Sequence, residues 1–337
     1  MNETLAPYAA LSLFYTELVM LKLSMTCGPY DRARALIDKR VQPKDITLEI
    51  TVNPKSPGSS TSGPGGPFDI AELYTGQYIG DVPYKRLGYT AIPIFVKRAF
   101  RHSSMYINNK SGIRRPSDLN GKRVGVQHWF TSAGVWARGI LEDEWKLDVR
   151  SITWVAQGTK GGVEGWTPPD WLKLEMAPAG QKLPNLLNEG VIQGLFATTV
   201  CAPGVYPNVD YLFPDHGQVE RDYFKRTGMF PIMHTLLVRT DLLEREPWVA
   251  MSLFDAWMAS KQVCYEELKW ERVHKTSLWY RALREEELAV AGEDFYRWGF
   301  KNGRAEIEKW LAYAFRYGMI PRRFEPEDLF HPSTLGT

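Results

Sequence analysis

Short β-type runs that stop at turn signals and continue into helical spacing set the strongest limit on what this chain can fold into. Leu21 to Thr26 (LKLSMT) reads as a buried strand ending at Cys27-Gly28-Pro29-Tyr30, and Asp31 to Asp38 follows with apolar residues at helical spacing. Such a strand, turn and helix unit belongs to α/β architecture, where the loop after the strand lies on the side that collects ligands. The chain has 337 residues. Single cores stop growing at roughly 250 to 300 residues, so two lobes are expected.

The same kind of unit recurs along the chain. Ile46 to Val52 alternates as a second strand, and Asn53 to Pro67, rich in Pro, Gly and Ser, reads as a flexible loop. Phe68 to Ile79 reads as strand or turn into helix, and Tyr89 to Val96 as an apolar strand. A further set follows: a strand at Val124 to Val126, a helix over Thr131 to Trp145, and strands at Ile152 to Ala156, Val191 to Thr199 and Val209 to Phe213. A short helix is expected at Leu183 to Leu187, and Gly158 to Gly180 reads as a loop suited to a lid. His234 to Arg239 returns as a strand, after which helices are expected over Trp248 to Leu268, Glu285 to Gly299 and Arg304 to Tyr317. The predicted domains are therefore a discontinuous first lobe, residues 20–100 plus 235–337, and a second lobe, 101–234. A cleft lies between them.

Bulk properties exclude several classes. With 44% hydrophobic and 24% charged residues and a net charge of +2, nothing resembles a nucleic-acid-binding stripe. Cys27, Cys201 and Cys264 are far apart and odd in number, which argues against a disulfide framework or zinc knuckle and for a reducing compartment. No secretory signal or run long enough to span a bilayer is apparent, so a cytoplasmic protein is expected. Aromatic helices near the C-terminus make a homo-oligomer reasonable.

One polar interruption stands out. Arg101-His102-Ser103-Ser104 breaks what otherwise reads as a strand through Phe100, Tyr106 and Ile107. An Arg fork, two hydroxyls and an imidazole suit a carboxylate, although a solvated strand end with a structural histidine explains the same residues. The segment falls at one predicted crossing between lobes, and His234 falls at the other. Inter-lobe clefts favour small-ligand sites.

Four stretches resemble the 4,5-dihydroxyphthalate decarboxylase family: Cys27 to Arg32 with Arg34-Ala35-Leu36; Phe100 to Ser104 with Tyr106-Ile107-Asn108; Gly121 to Val126 with Val135 to Leu141; and Thr227 to His234. They run in the expected order through about two thirds of the chain. The third has a Gly-Lys-Arg-Val-Gly-Val piece common to many binding proteins, and the loops at Asn53 to Pro67 and Gly165 to Trp171 depart from the family pattern. The resemblance implies an α/β, two-lobed fold of the type II periplasmic-binding-protein kind, with an inter-lobe cleft and a helical C-terminal extension. It also implies non-oxidative loss of carbon dioxide from 4,5-dihydroxyphthalate or a related hydroxybenzoate.

That chemistry needs a proton donor at the ring carbon bearing the carboxylate, a base near the phenol, and holders for the carboxylates. Arg101 is the first candidate for a bidentate grip, with Ser103 and Ser104 as neutral donors and Arg32 and Arg138 as further cations. Arg138, mid-helix, is more readily read as solvated. Thr131 and Ser132 open a helix whose free N–H groups suit an anion, though capping explains them as well. His102 and His234 compete as proton donor, and Asp31 is read either as a helix cap or as the group that orients a histidine or accepts the phenolic proton. No organic cofactor is required. A divalent metal ion held by His102, His234 and Asp31 stays open. The competing reading is a non-catalytic binding protein that captures a small anion in the same cleft. A hydrolase lacks its GxSxG nucleophile.

Overall fold

A computed structural model describes residues 20–53, 66–158, 163–198, 204–270 and 276–337. Its elements in chain order are β1 (Leu21–Cys27), the single turn α1 (Arg34–Ile37), β2 (Ile46–Val52), β3 (Ile70–Tyr74), α2 (Thr75–Asp81) and β4 (Tyr89–Arg98). Then come β5 (Met105–Asn108), β6 (Arg123–Val126), α3 (Ser132–Trp145), β7 (Thr153–Ala156), β8 (Leu174–Met176), α4 (Leu183–Asn188), β9 (Gly194–Phe196), β10 (Val209–Tyr211) and α5 (His216–Thr227). The chain ends with β11 (Ile232–Arg239), α6 (Thr240–Arg245), α7 (Val249–Trp270), α8 (Tyr280–Ala291) and α9 (Phe300–Arg316).

Two sheets result. The first runs β2-β1-β3-β11-β4 and the second β10-β5-β9-β6-β7-β8. Within the first, β1 is parallel to β2 and β3, while β11 is antiparallel to both β3 and β4. The apolar runs of β3 and β4 are buried almost throughout, as expected of strands covered on both faces. Pro93, which has no ladder N–H, sits in β4 at the sheet's edge, where it is tolerated. The pairing of β4 with β11 is irregular just there: between Leu236↔Ile92 and His234↔Lys97 the register shifts. Irregularities of this kind re-aim side chains, and this one brackets His234.

The return to the first sheet occurs at Ile232, so His234 is a residue of that sheet rather than the last of the second lobe. The two crossing segments lie side by side: the Ala99 N–H donates to the Pro231 carbonyl at 3.1 Å, and Phe100 stacks on Phe230 with ring centroids 4.7 Å apart. Glu306 of α9 braces both, bonding the Arg98 guanidinium at 2.9 Å and the Phe230 N–H at 3.3 Å. Arg98 and Glu306 have side chains only 1% and 2% exposed. A further tie joins the lobes, since the Trp136 indole of α3 donates to the Ile232 carbonyl at 3.0 Å, which also accepts the Trp310 indole of α9 at 3.0 Å.

Several elements differ from the sequence reading. Residues His102–Ser104 form a 3-10 turn, not strand. Helix α5 was not expected, because its one fully buried residue, Tyr223, leaves almost no apolar stripe to read. A three-residue strand, β8, lies inside the expected Gly158 to Gly180 loop, and α8 covers Tyr280–Ala291 rather than Glu285 to Gly299. Most of the Asn53 to Pro67 loop, and Cys201, lie outside the described residues. Among the described residues, no helix is long and apolar enough to cross a membrane.

Candidate active site

The site grows from a carboxylate in the middle of a buried strand. Glu72 of β3 is 0% exposed. Its Oε2 accepts the Gly28 N–H at 2.9 Å, and its Oε1 accepts the Tyr30 hydroxyl at 2.5 Å and meets Nδ1 of His234 on the neighbouring strand. Burial alone would raise this carboxyl, but His234, Tyr30 and the Gly28 amide outweigh it and hold it below the ordinary carboxylate range. The same burial, with the Glu72 charge, pushes the Tyr30 hydroxyl up, so it stays protonated and donating. Cys27, at the end of β1, is likewise pushed up to about 12 by burial and by Glu72.

His234 is 5% exposed, and Tyr74 packs edge-on against it with ring centroids 4.6 Å apart. Burial lowers its pKa, Glu72 opposes that, and the positive charges of Lys97 and Arg101 lower it further. The imidazole is therefore neutral at neutral pH. With Nδ1–H given to Glu72, Nε2 is the nitrogen that can take and give a proton. Lys97 is depressed in turn, first by burial and then by Arg101. Among the described residues its ammonium makes no hydrogen bond or ion pair.

Arg101 is 6% exposed and burial lowers it to about 10, with Glu220 of α5 opposing. Its Nε donates to the Ala99 carbonyl at 3.3 Å, and its two terminal nitrogens donate to no described group. Two cations with unspent donors thus stand beside a neutral, carboxylate-backed imidazole. That arrangement can hold a carboxylate and deliver a proton next to it.

The other expected residues fall in several places. His102 does not face His234; it is 0% exposed, enclosed by the rings of Trp145, Phe213 and Tyr223, and neither ring nitrogen has a partner. Burial drops its pKa to about 4, with Arg226 adding to the effect. Asp31 points outward, 65% exposed, and pairs with the adjacent Arg32 at 3.1 Å rather than capping a helix or orienting a histidine. The carboxylate that meets the His234 ring is Glu72. Arg32 is near the group but largely committed, bonded to Asp31 and the Val96 carbonyl and stacked on Tyr30 and Tyr296 at 4.4 and 3.9 Å. Ser103 and Ser104 use backbone groups, the Ser103 N–H to Glu220 at 2.9 Å and the Ser104 carbonyl to Ala197 at 3.2 Å.

Thr131 and Ser132 both have occupied hydroxyls. Thr131 exchanges bonds with the His128 backbone, while Ser132 donates to the Met233 carbonyl at 2.8 Å and accepts the Gly76 N–H at 3.1 Å. Arg138 is neither solvated nor part of the Glu72 group; it is 0% exposed among Trp129, Trp154 and Tyr317. His102, His234 and Asp31 do not converge, and among the described residues no three His, Cys, Asp or Glu side chains gather as metal ligands. Sequence reasoning missed Glu72, Lys97, Tyr30 and Tyr74. Glu72 did carry a signal, being a charge inside the apolar run Ile70-Ala71-Glu72-Leu73.

No protein-family model matches the chain. It is 34% identical over 329 residues to a 4,5-dihydroxyphthalate decarboxylase from Comamonas testosteroni, covering 94% of this chain and 98% of that protein. A second 4,5-dihydroxyphthalate decarboxylase, from Pseudomonas putida, is 32% identical over 215 residues, 61% of this chain and 82% of that protein. In three dimensions the chain is similar to the periplasmic aliphatic sulphonate binding protein SsuA from Escherichia coli, with a TM-score of 0.51, 11% identity and coverage of 92% and 91%. That likeness establishes the periplasmic-binding-protein fold, and the two sequence relatives establish the rest: this chain is a decarboxylase, a carboxy-lyase, and belongs to the 4,5-dihydroxyphthalate decarboxylase family.

Proposed function

We propose that the chain removes carbon dioxide from 4,5-dihydroxyphthalate, or a closely related hydroxylated aromatic acid, with His234 as the proton donor to the ring. The observation that carries this reading is the His234 imidazole, backed by Glu72 on Nδ1 and flanked by Lys97 and Arg101. Burial is the main cause of the low His234 pKa, and a substrate carboxylate on Lys97 and Arg101 neutralises the two charges that add to it, so binding favours uptake of a proton on Nε2. That proton passes to the ring carbon bearing the carboxylate. The para hydroxyl gives up its own proton, so the intermediate is a neutral ring ketone in place of an aromatic cation. The bond to the carboxylate carbon then breaks, its electron pair restores the ring, and the hydroxyl regains a proton. The net change consumes one proton per carbon dioxide released, and 4,5-dihydroxyphthalate becomes 3,4-dihydroxybenzoate.

Glu72 serves as a positioning residue that fixes the imidazole tautomer and supports its charged form. A reducing, cytoplasmic setting is part of the proposal and rests on the cysteine spacing. The test is carbon dioxide release from a panel of hydroxylated benzoic and phthalic acids, with and without chelator. Turnover of 4,5-dihydroxyphthalate, lost in His234→Gln with binding retained, is the expected result. Binding across the panel with no carbon dioxide released overturns the reading in favour of a capture protein.

A further inference from the structure

The oxygen para to the departing carboxylate needs a protein partner of its own. In the proposed reaction it loses a proton, becomes a ketone oxygen, and then receives the electron pair freed as carbon dioxide leaves. Charge that develops at one atom is stabilised best by a donor already in place there. Lys97 and Arg101 serve the carboxylate and His234 the ring carbon. Asp31 points outward, 65% exposed and paired with Arg32. Tyr30 belongs to the group, but its hydroxyl is spent on Glu72 at 2.5 Å.

Sheet register supplies the missing donor. Strands β3 and β4 both run antiparallel to β11, so Tyr74, the last residue of β3, and Lys97, next to last in β4, lie at the end of the sheet where β11 begins. His234 is paired directly with Tyr74 on one side and with Lys97 on the other. Directly opposed residues send their side chains to one face, so phenol, imidazole and ammonium form a row across three neighbouring strands. The charges agree with the register, since Glu72 acts on Tyr74, His234 and Lys97 alike. Adjacent strands are about 4.8 Å apart, comparable to the distance from a ring carbon to the oxygen para to it. The Tyr74 and His234 ring centroids are 4.6 Å apart, which keeps the Tyr74 hydroxyl within one substrate ring of the imidazole. That hydroxyl bonds no described group, and Tyr74 is only half-buried, so it is not sealed from the cleft end of the sheet. Burial, with the Glu72 charge adding to it, raises the Tyr74 pKa, so the hydroxyl keeps its proton and remains a donor.

We propose that Tyr74 is a further catalytic residue, whose hydroxyl donates a hydrogen bond to the para oxygen of the substrate ring while Lys97 holds the carboxylate at the other end of the row. This rests on the ring-protonation reading of the same site. His234 gives its Nε2 proton to the ring carbon, and the para hydroxyl releases its own proton to water, leaving the ketone. The bond to the carboxylate carbon then breaks, and its electron pair passes through the ring to the para oxygen, which becomes a phenolate. Tyr74 keeps its proton and stabilises that charge until water returns a proton to the oxygen. The balance stays at one proton consumed per carbon dioxide released.

The test uses Tyr74→Phe in the full-length protein, which removes the hydroxyl and keeps the ring that packs edge-on against His234. Turnover of 4,5-dihydroxyphthalate should fall roughly 100- to 1,000-fold in kcat, the usual cost of removing one donor to a developing oxyanion. Calorimetric titration with 4-hydroxybenzenesulfonate and benzenesulfonate, neither of which can lose carbon dioxide, reads the contact without turnover. The wild type should prefer the hydroxylated ligand roughly 3- to 10-fold, as one hydrogen bond implies, and Tyr74→Phe should lose that preference while binding benzenesulfonate within about twofold of the wild type. A hydroxyl preference absent from the wild type or kept in the variant overturns the assignment, as does a kcat within about threefold of the wild type. Equal weakening of both sulfonates overturns it as well, because it marks a residue that only shapes the cleft. Failure of the parent reading is distinct: the wild type then releases no carbon dioxide from 4,5-dihydroxyphthalate.

Discussion

Replacing His102 by Phe should make the protein resistant to acid while leaving catalysis intact. The imidazole is 0% exposed, has no partner on either nitrogen, and is held to a pKa of about 4 by burial, against 6.5 for a free side chain. At neutral pH the folded and unfolded states both carry it uncharged, so it contributes nothing to pH dependence there. As pH falls through 6.5 the unfolded chain binds a proton that the folded chain refuses, and stability declines until the pH passes the folded value. A depression of about 2.5 pKa units corresponds to about 3 kcal/mol of stability lost in full below pH 4, most of it gone by about pH 4.5. His102→Phe removes that loss and also two unsatisfied polar atoms, which adds up to about 1 kcal/mol at neutral pH. Urea unfolding of both proteins from about pH 7.5 down to about pH 4.5 reads the difference directly. Parallel stability curves for the two proteins, or loss of turnover in the variant at neutral pH, would refute the assignment of His102 to packing.

The Glu72 and His234 pair gives a kinetic counterpart. Glu72→Gln should lower kcat by roughly 10- to 1,000-fold and shift the ionisation of His234 further down, moving the basic limb of the kcat profile to lower pH; an unmoved limb would mean that Glu72 does not touch the titrating group. Substrate binding should be accompanied by uptake of a proton, measured by titration calorimetry in buffers of different ionisation enthalpy, and a null proton count would disprove the coupling through Lys97 and Arg101. Glu306→Ala strands the buried Arg98 guanidinium at the lobe junction and should cost about 3–5 kcal/mol in a denaturant titration. A loss of less than about 1 kcal/mol would show that the pair is not the brace described.

Legibility followed periodicity. The strand Ile46–Val52 and the helix Ser132–Trp145 were readable because their apolar residues repeat at the period of the element, and the strand Tyr89–Arg98 because it carries a bounded apolar run; most of these residues are buried. Helix α5, with its single buried Tyr223, and the three-residue β8 were not, since neither leaves a repeat to count.

The candidate site divides the same way. Sequence alone determined the two-lobed α/β class and the family, because local pattern and motif carry these. Tertiary structure decided which polar residues meet. His102 and Arg101 are adjacent in sequence, yet the 3-10 turn at His102–Ser104 sends one into an aromatic cage and leaves the other with open donors beside Lys97 and His234. Glu72 and His234 are 162 residues apart and come together only because β3 and β11 are neighbours in one sheet, with the irregular pairing against β4 turning His234 to its place. Spacing along a chain fixes what is near in one element, whereas the partner of a buried charge is chosen by sheet order and register, which no single segment encodes.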